Sequence, residues 1–223
     1  MSSTKRSDVR QPDDFYSTPA WCTRAILPVI ITPSVRHVLD PAAGEGAILD
    51  EVKRMYHGAV GTSGYETDHE RALVCGAHGH GVGVADALAS RRWVADAVVM
   101  NPPFALASEF VARAISEVPT VACVLRLGFL ASMKRATFWR DHPADVFVLP
   151  RRPSFTEHLH WTRVPDAKRC LRDLPGKRKP TQCERVAAHT GPCMTIGSDS
   201  ADYMWAVWAK GSAGGRWRVL EVG

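Results

Sequence analysis

An α/β fold, built on a mostly parallel sheet covered by helices, is what this 223-residue chain predicts, and three observations carry the prediction. Short apolar runs of strand character alternate with segments of helical spacing from residue 36 to about residue 150. Two distinctive strings, Asp40-Pro-Ala-Ala-Gly-Glu-Gly46 and Asn101-Pro-Pro-Phe104, each follow directly on such a run. Ligands on sheets of this kind bind at the carboxyl ends of the strands, which is where both strings fall.

The elements follow in order. Residues 36–40 read as a buried strand running into a glycine-containing turn, and 47–56 as the helix after it. A strand is expected at 61–66, a helix from Asp68 to about Gly76, and strands near 81–84 and at 96–100. Residues 107–118 have helical spacing, with Phe110, Val111, Ala114 and Ile115 on one side. Strands at 120–127 and 145–149 flank a helix around 133–139. Residues 154–200 break the rhythm, with little periodic apolar pattern, many charges, and Pro165, Pro175, Pro180 and Pro192. Residues 202–209 then alternate as a strand does, with 216–222 as a hairpin partner across Gly211-Ser-Ala-Gly-Gly215. The expected organisation is a catalytic core at 1–153, an insertion at 154–200, and C-terminal strands at 201–223 that complete the core sheet.

Composition narrows the function classes. With 45% hydrophobic residues the chain can bury one substantial core. No apolar run approaches the roughly 20 residues of a membrane span, and the opening MSSTKRSDVRQPDD lacks the apolar stretch of a signal peptide. A cytoplasmic location with no membrane partner is expected. In a reducing compartment the six cysteines are metal ligands or buried thiols sooner than disulfides. The net charge of +5 is concentrated: between Arg163 and Val186 eight Lys/Arg face three acids, which accounts for the whole excess. Local positive charge of that kind suits a phosphate backbone, and a solvated basic loop has the same composition.

The first string has the chemistry of a cofactor loop. Gly44 and Gly46 let backbone approach a ligand in conformations costly for other residues. Asp40 at the strand end can accept from the loop or from a ligand amino group. The same Asp-Pro-x-x-Gly pattern also makes ordinary turns, so its spacing from further acids matters. Glu66 ends the next strand, where a carboxylate can accept both ribose hydroxyls. Asp86 ends the third and can accept from an adenine amino group, or else cap residues 87–91. Asp68 reads as a helix cap, since Glu70 and Arg71 follow in a first turn.

The second string assigns a reaction. A planar aromatic amine is a poor nucleophile because its nitrogen lone pair is shared with the ring. If both hydrogens are held by acceptors, the nitrogen can pyramidalise and recover that pair. The Asn101 side-chain oxygen supplies one acceptor and the Pro102 carbonyl another, and Pro102 with Pro103 stiffens the turn that presents them. Phe104 can stack on a base that has left its helix. The alternative is a Pro-Pro loop whose Phe packs in the core.

On these motifs the chain resembles the S-adenosylmethionine-dependent DNA amino-methyltransferases, particularly the compact adenine-specific enzymes of phages and prophages. The resemblance covers most of residues 14–162 and the strand at 202–209. Phe15-Tyr-Ser-Thr-Pro19 is similar to the family's N-terminal cofactor motif, with Tyr16, Thr18 and Pro19 closing over the methionine part. Leu125-Arg-Leu-Gly-Phe-Leu130, then Lys134-Arg135 and Phe138, resembles its post-catalytic strand and helix; 148–155 and 203–208 resemble its later strands. The resemblance implies a Rossmann-like class I methyltransferase fold, with a mostly parallel seven-stranded sheet, helices on both faces, and a small Cys/His-rich insertion before the last strands. It implies Asn101, Pro102, Pro103 and Phe104 as the catalytic loop. Tyr16, Thr18, Pro19, Asp40, Ala42, Gly44, Gly46, Glu66, Asp86 and Asn101 are implied as the cofactor set. The expected activity is methyl transfer to N6 of adenine in DNA after base flipping, with no covalent enzyme intermediate. Many relatives carry Asp at the place of Asn101, which blurs adenine against cytosine.

Other readings stay open beside it. The same fold can act on N4 of cytosine, a guanine in RNA or a protein glutamine, and a noncatalytic DNA-binding relative is a further class. The basic insertion favours nucleic acid over protein, and Asp40, Gly44, Asn101, Pro102 and Phe104 together argue for catalysis. No cysteine sits in a Pro-Cys loop, which argues against methylation of carbon. At this length no nuclease domain is expected within the chain.

The insertion has chemistry of its own. Cys170, Cys183, His189 and Cys193 make a three-cysteine, one-histidine set suited to closed tetrahedral zinc, with His158 or His160 as substitutes for Cys170. Metal binding would give a Pro-rich polar segment something to fold around. Beside the cleft, Lys177-Arg-Lys179 can touch phosphates, and Trp161 can stack on a base. Cys22, Cys75 and Cys123 read as buried small residues. His78 and His80, in Gly76-Ala-His-Gly-His-Gly81, look like a metal tract but read sooner as part of a turn before the third strand.

Overall fold

The computed structural model describes residues 16–153, 155 and 201–221, which form eight strands and five α-helices in a single sheet with helical layers. The elements are α1 (Ala20–Ile30), β1 (His37–Asp40), α2 (Ala47–Met55), β2 (Gly61–Glu66), α3 (His69–Ala77), β3 (Gly81–Val84) and β4 (Ala97–Met100). After them come α4 (Ala107–Glu117), β5 (Thr120–Arg126), α5 (Ala136–Asp141), β6 (Asp145–Val148), β7 (Tyr203–Ala209) and β8 (Trp217–Val219). The strand order is β3-β2-β1-β4-β5-β7-β6-β8. β3, β2, β1, β4 and β5 are mutually parallel, and β7 runs antiparallel between β5 and β6. The α/β class and the mostly parallel sheet agree with the sequence.

Strict alternation along the central strands builds two cores. Ala122 and Val124 of β5 and Tyr203, Trp205 and Val207 of β7 pack with Ile26 and Leu27 of α1 and Leu49 and Val52 of α2. Val121, Cys123 and Leu125, with Met204, Ala206 and Trp208, pack on the opposite face against Phe110, Val111 and Ala114 of α4. β4 is buried along its whole length, so it reads as a continuous apolar run.

Three expectations change. The sheet has eight strands where seven were expected, because β8 adds an edge. β8 is not the hairpin partner of β7: it pairs in parallel with β6, Val146 opposite Trp217 and Val148 opposite Val219. Both edges of β7 are already taken by β5 and β6, so the returning chain finds its free edge on β6. Arg216 secures it there, its Nε 3.0 Å from Asp145 Oδ1 and its backbone N–H donating to the same oxygen at 3.1 Å. The helix expected around 133–139 divides into a 3₁₀ turn at Met133–Arg135 and α5.

α1 is an element that the sequence reading does not contain. Cys22, Ile26, Leu27 and Ile30 give it a fully buried stripe, but Pro28 lies inside the helix. Pro28 is exposed, so the backbone bond its ring forfeits is lost on the solvent side, where water can replace it.

Candidate active site

The cofactor-like loop leaves β1 at Asp40 and is fastened to β2 along its course. The Ala43 N–H donates to the Tyr65 carbonyl at 2.9 Å, and the Gly46 N–H to the Ala43 carbonyl at 2.8 Å. This crossing requires glycine on β2: a Cβ at Gly64 would lie 2.6 Å from Ala43 Cβ and 2.9 Å from the Asp40 carbonyl oxygen. Gly46, at φ 94°, then caps α2 in the left-handed region that glycine adopts at least cost.

Three carboxylates arise from these strand ends, each with a different task. Asp40 is buried, and its Oδ1 accepts from the Ala42 N–H at 3.0 Å. Burial pushes its carboxyl up to about 7, with a smaller push from the charge of Glu66. Glu66 latches the loop, since Oε2 accepts from the Gly44 N–H at 2.9 Å and Oε1 from the Asp68 N–H at 2.8 Å. Arg71 stands 3.5 Å from Oε1. Asp68 caps α3 through the Arg71 N–H at 2.9 Å, as its sequence context suggests. Asp86 is exposed and accepts from the Leu88 N–H at 2.9 Å, capping the turn Ala87–Ala89. Two readings of Asp86 were open; its Oδ1 serves the cap, and the residue also lines the cavity described below.

At the end of β4, Asn101 is held from one side only. Its Nδ2 donates to the Tyr16 carbonyl at 3.1 Å. Its Oδ1 is buried and accepts no hydrogen bond among the described residues, as is also true of the Thr18 hydroxyl. Buried acceptors left unsatisfied are uncommon and mark a place where a donor belongs. Phe104 lies among aromatic neighbours, 5.6 Å from the Tyr16 ring and 6.0 Å from the Tyr203 ring. The Arg126 guanidinium sits over it, 4.5 Å from the ring centre, and Arg126 Nε donates to the Tyr203 hydroxyl at 3.0 Å.

A cavity of about 370 Å³ joins these parts, a size suited to a small-molecule site. Tyr16, Thr18, Asp40, Ala42, Glu66, Asp86, Asn101 and Pro103 line it. Gly44 and Gly46 shape the loop from behind, and Pro19 caps α1. Pro102 is buried within the Asn-Pro-Pro-Phe turn, and Phe104 packs in the aromatic group at its edge. Cys170, Cys183, His189 and Cys193, together with Phe15, His158, His160, Trp161 and the 177–179 basic run, lie outside the described residues.

The structure adds lining residues that sequence reasoning did not assign. Tyr65, Ile48, Leu106 and Phe110 give the cavity an apolar side, and Arg71 gives it a cation. Leu106 and Phe110 stand one helical turn apart just after the Asn-Pro-Pro-Phe string, a spacing that could have pointed to them. Arg126 and Tyr203 had no local signal, because the sheet brings them together from 77 residues apart.

The three described cysteines, Cys22, Cys75 and Cys123, are buried and free. Burial pushes each thiol up, Cys75 to about 12, so none is a ready nucleophile. His80 is buried in the turn before β3, where the sequence places it. No helix among the described residues is long and apolar enough to cross a membrane.

No family model matches the chain, and no curated protein is similar to it in sequence. Solved structures are similar in fold. The methyltransferase subunit of a type I restriction-modification system from Streptococcus thermophilus superposes with a TM-score of 0.60 at 14% identity, over 89% of this chain and 46% of that one. A modification subunit of a putative type I restriction enzyme from Vibrio vulnificus YJ016 gives 0.55 at 14% identity, over 91% of this chain and 45% of that one. The chain thus spans less than half the length of either protein. At this identity the likeness speaks for architecture, and the architecture is the Rossmann-like fold of methyltransferases.

Proposed function

We propose that the chain is an S-adenosylmethionine-dependent DNA methyltransferase that acts on the exocyclic amino group, N6, of adenine after base flipping. The observation that carries this reading is the buried Oδ1 of Asn101, without a donor among the described residues, at the wall of a cavity that ends at the carboxyl edge of the sheet. The likeness in fold to two restriction-modification subunits supports a DNA substrate.

The residues present fit the cofactor. Tyr16 and Thr18 would hold its methionine part, with the unsatisfied Thr18 hydroxyl available to it. Glu66 would take the ribose chiefly through Oε2, which holds only the Gly44 N–H, since Oε1 already accepts from the Asp68 N–H and the Thr67 hydroxyl. Asp86 would take the adenine amino group, and Tyr65, Leu106 and Phe110 would line the ring. The bound cofactor supplies an electrophilic methyl group on a sulfonium.

The protein's part is to prepare the amine. Asn101 Oδ1 and the Pro102 carbonyl accept the two amino hydrogens, which draws the nitrogen lone pair out of the ring and toward the cavity. Tyr16 fixes Asn101 in the orientation that presents Oδ1. Phe104, with its aromatic neighbours, forms a surface for the extruded base, and Arg126 must yield that surface or stack on the base's far side. Two preorganised acceptors aimed at a charge-developing nitrogen are the electrostatic component of the rate.

The segment 154–200 is proposed as the target-recognition element, with structural zinc on Cys170, Cys183, His189 and Cys193. Its anchors favour this role. Val148 of β6 and Met204 of β7 are register partners, and Tyr203 pairs with Arg126 at the end of β5, so the segment leaves and re-enters the sheet at the Asn101 end. The deciding experiment incubates the full chain with labelled S-adenosylmethionine and unmethylated duplex DNA, then identifies the nucleoside. Label in N6-methyladenine supports the proposal. Label in N4-methylcytosine or in the protein itself, or no incorporation at all, overturns it.

A further inference from the structure

Away from the cavity, three potential metal ligands meet on the other side of the cofactor-like loop. Asp50 lies in the first turn of α2, while His78 and His80 flank Gly79 in the turn that leads from α3 to β3. His78 Nδ1 stands 3.0 Å from Asp50 Oδ2, and His80 Nε2 3.1 Å from Asp50 Oδ1. One ligand atom from each of the three residues lies within 4.8 Å of the other two. The His80 side chain is fully buried, whereas 43% of the Asp50 side chain is exposed, so the cluster is closed toward the core and open toward solvent.

The surroundings of His80 favour a ligand role over a simple buried contact. On its far side, Nδ1 meets the Thr62 hydroxyl at 2.7 Å. A metal-ligating imidazole ordinarily has such an outer partner, which fixes the tautomer and ring plane. With Thr62 accepting from Nδ1–H, the Nε2 lone pair faces the Asp50 carboxylate, and a cation between them satisfies both. Lys53 Nζ donates to the His78 carbonyl at 2.7 Å and so steadies the turn through its backbone.

We propose that Asp50, His78 and His80 form a binding site for a divalent transition-metal ion, zinc in the first instance, with water completing the coordination. Two imidazole nitrogens and one carboxylate oxygen suit zinc and its neighbours better than magnesium or calcium, which take oxygen ligands. The ion ties the first turn of α2 to the α3–β3 turn. It does so directly under Gly46, where an added Cβ would already meet the His80 ring at 3.2 Å. The site thus braces the end of the loop that lines the cavity. Its ligands are other residues than the cysteines and histidine proposed for zinc in 154–200, and it does not rest on the methyl-transfer reading.

The test titrates zinc into the chelator-stripped full chain by calorimetry and counts bound metal in four proteins. These are wild type, Asp50→Asn, His78→Ala, and the Cys183→Ser/Cys193→Ser pair, each checked for fold by circular dichroism. Wild type is expected to hold one more equivalent than Asp50→Asn or His78→Ala, and the cysteine pair to retain that equivalent. If the cysteine pair does not fold, the cobalt difference spectrum between wild type and His78→Ala decides, and it should lack a thiolate-to-metal band. Equal zinc content in wild type, Asp50→Asn and His78→Ala, or a thiolate band in the difference spectrum, overturns the proposal.

Discussion

The Asn101 side chain donates from Nδ2 to the Tyr16 carbonyl at 3.1 Å, joining the Asn-Pro-Pro-Phe turn to the segment before α1 across 85 residues. An amide can do this and still present an acceptor, whereas a carboxylate has only acceptors. Asn101→Asp should therefore keep the acceptor toward the amine but set an oxygen against the Tyr16 carbonyl. The expected result is a cofactor KM raised about tenfold, a loss of roughly 1.4 kcal/mol, with a smaller loss of kcat. Asn101→Ala removes the acceptor as well and should lower kcat by about 10²- to 10³-fold. Steady-state kinetics separates the two, and an Ala variant with near-normal kcat would exclude Asn101 from the reaction.

Glu66 offers a second test because its two oxygens hold the Gly44 and Asp68 N–H groups inside the protein. Glu66→Ala leaves these donors without that acceptor and should destabilise the chain by about 1–3 kcal/mol for each donor that stays buried and unsatisfied. Loosening of the loop should also weaken cofactor binding tenfold or more. Glu66→Gln retains one acceptor oxygen and should lose less of both. Urea unfolding with calorimetric cofactor titration measures the pair of effects; full stability and affinity in the Ala variant would remove Glu66 from this role.

The sequence showed strands even where burial is slight, as in β2 and β3. The runs at 61–66 and 81–84 appear at the expected places, as does the Asp68 cap, because each is dictated by neighbours a few residues away. α1 escaped because Pro28 interrupts a pattern whose tolerance depends on that residue facing water. β8 was assigned to the wrong neighbour for a different reason. Alternation says that a segment is a strand, but the partner depends on which edge is still free, and that is a property of the finished sheet. The same holds for the cavity. Asp40, Glu66 and Asn101 are legible as strand-end polar residues, while Arg126 over Phe104 exists only once β5 and β7 are paired.

The anchoring of β8 can be measured through Asp145. Its hydrogen bonds from Arg216 hold its carboxyl below the usual range, against the cost of burial. A lowered carboxyl contributes stability above its unfolded value near 4 that is lost as pH falls through the folded value. Arg216→Ala should therefore cost stability at neutral pH, with the difference from wild type shrinking in acid. Because β8 occupies the outer edge of β6, amide exchange should accelerate in residues 145–148 before it does in β4. Uniform acceleration across the sheet would contradict a local anchor.

Asp40 should act with the opposite sign. Its folded carboxyl is raised from 3.8 to about 7, chiefly by burial. Between those values the folded state binds a proton that the unfolded state has released, so the contribution is complete below 3.8 and drains away as pH climbs through 7. Ionised Asp40 then burdens the fold by on the order of a few kcal/mol at pH 8. Asn at this position keeps an acceptor for the Ala42 N–H and carries no charge. Asp40→Asn should thus gain on wild type as pH rises from 5 to about 8, with the gain levelling off above the folded carboxyl's value. Thermal melts of both proteins across that range give the comparison. A constant difference between them would show that Asp40 does not titrate there, and that a polar partner compensates its burial.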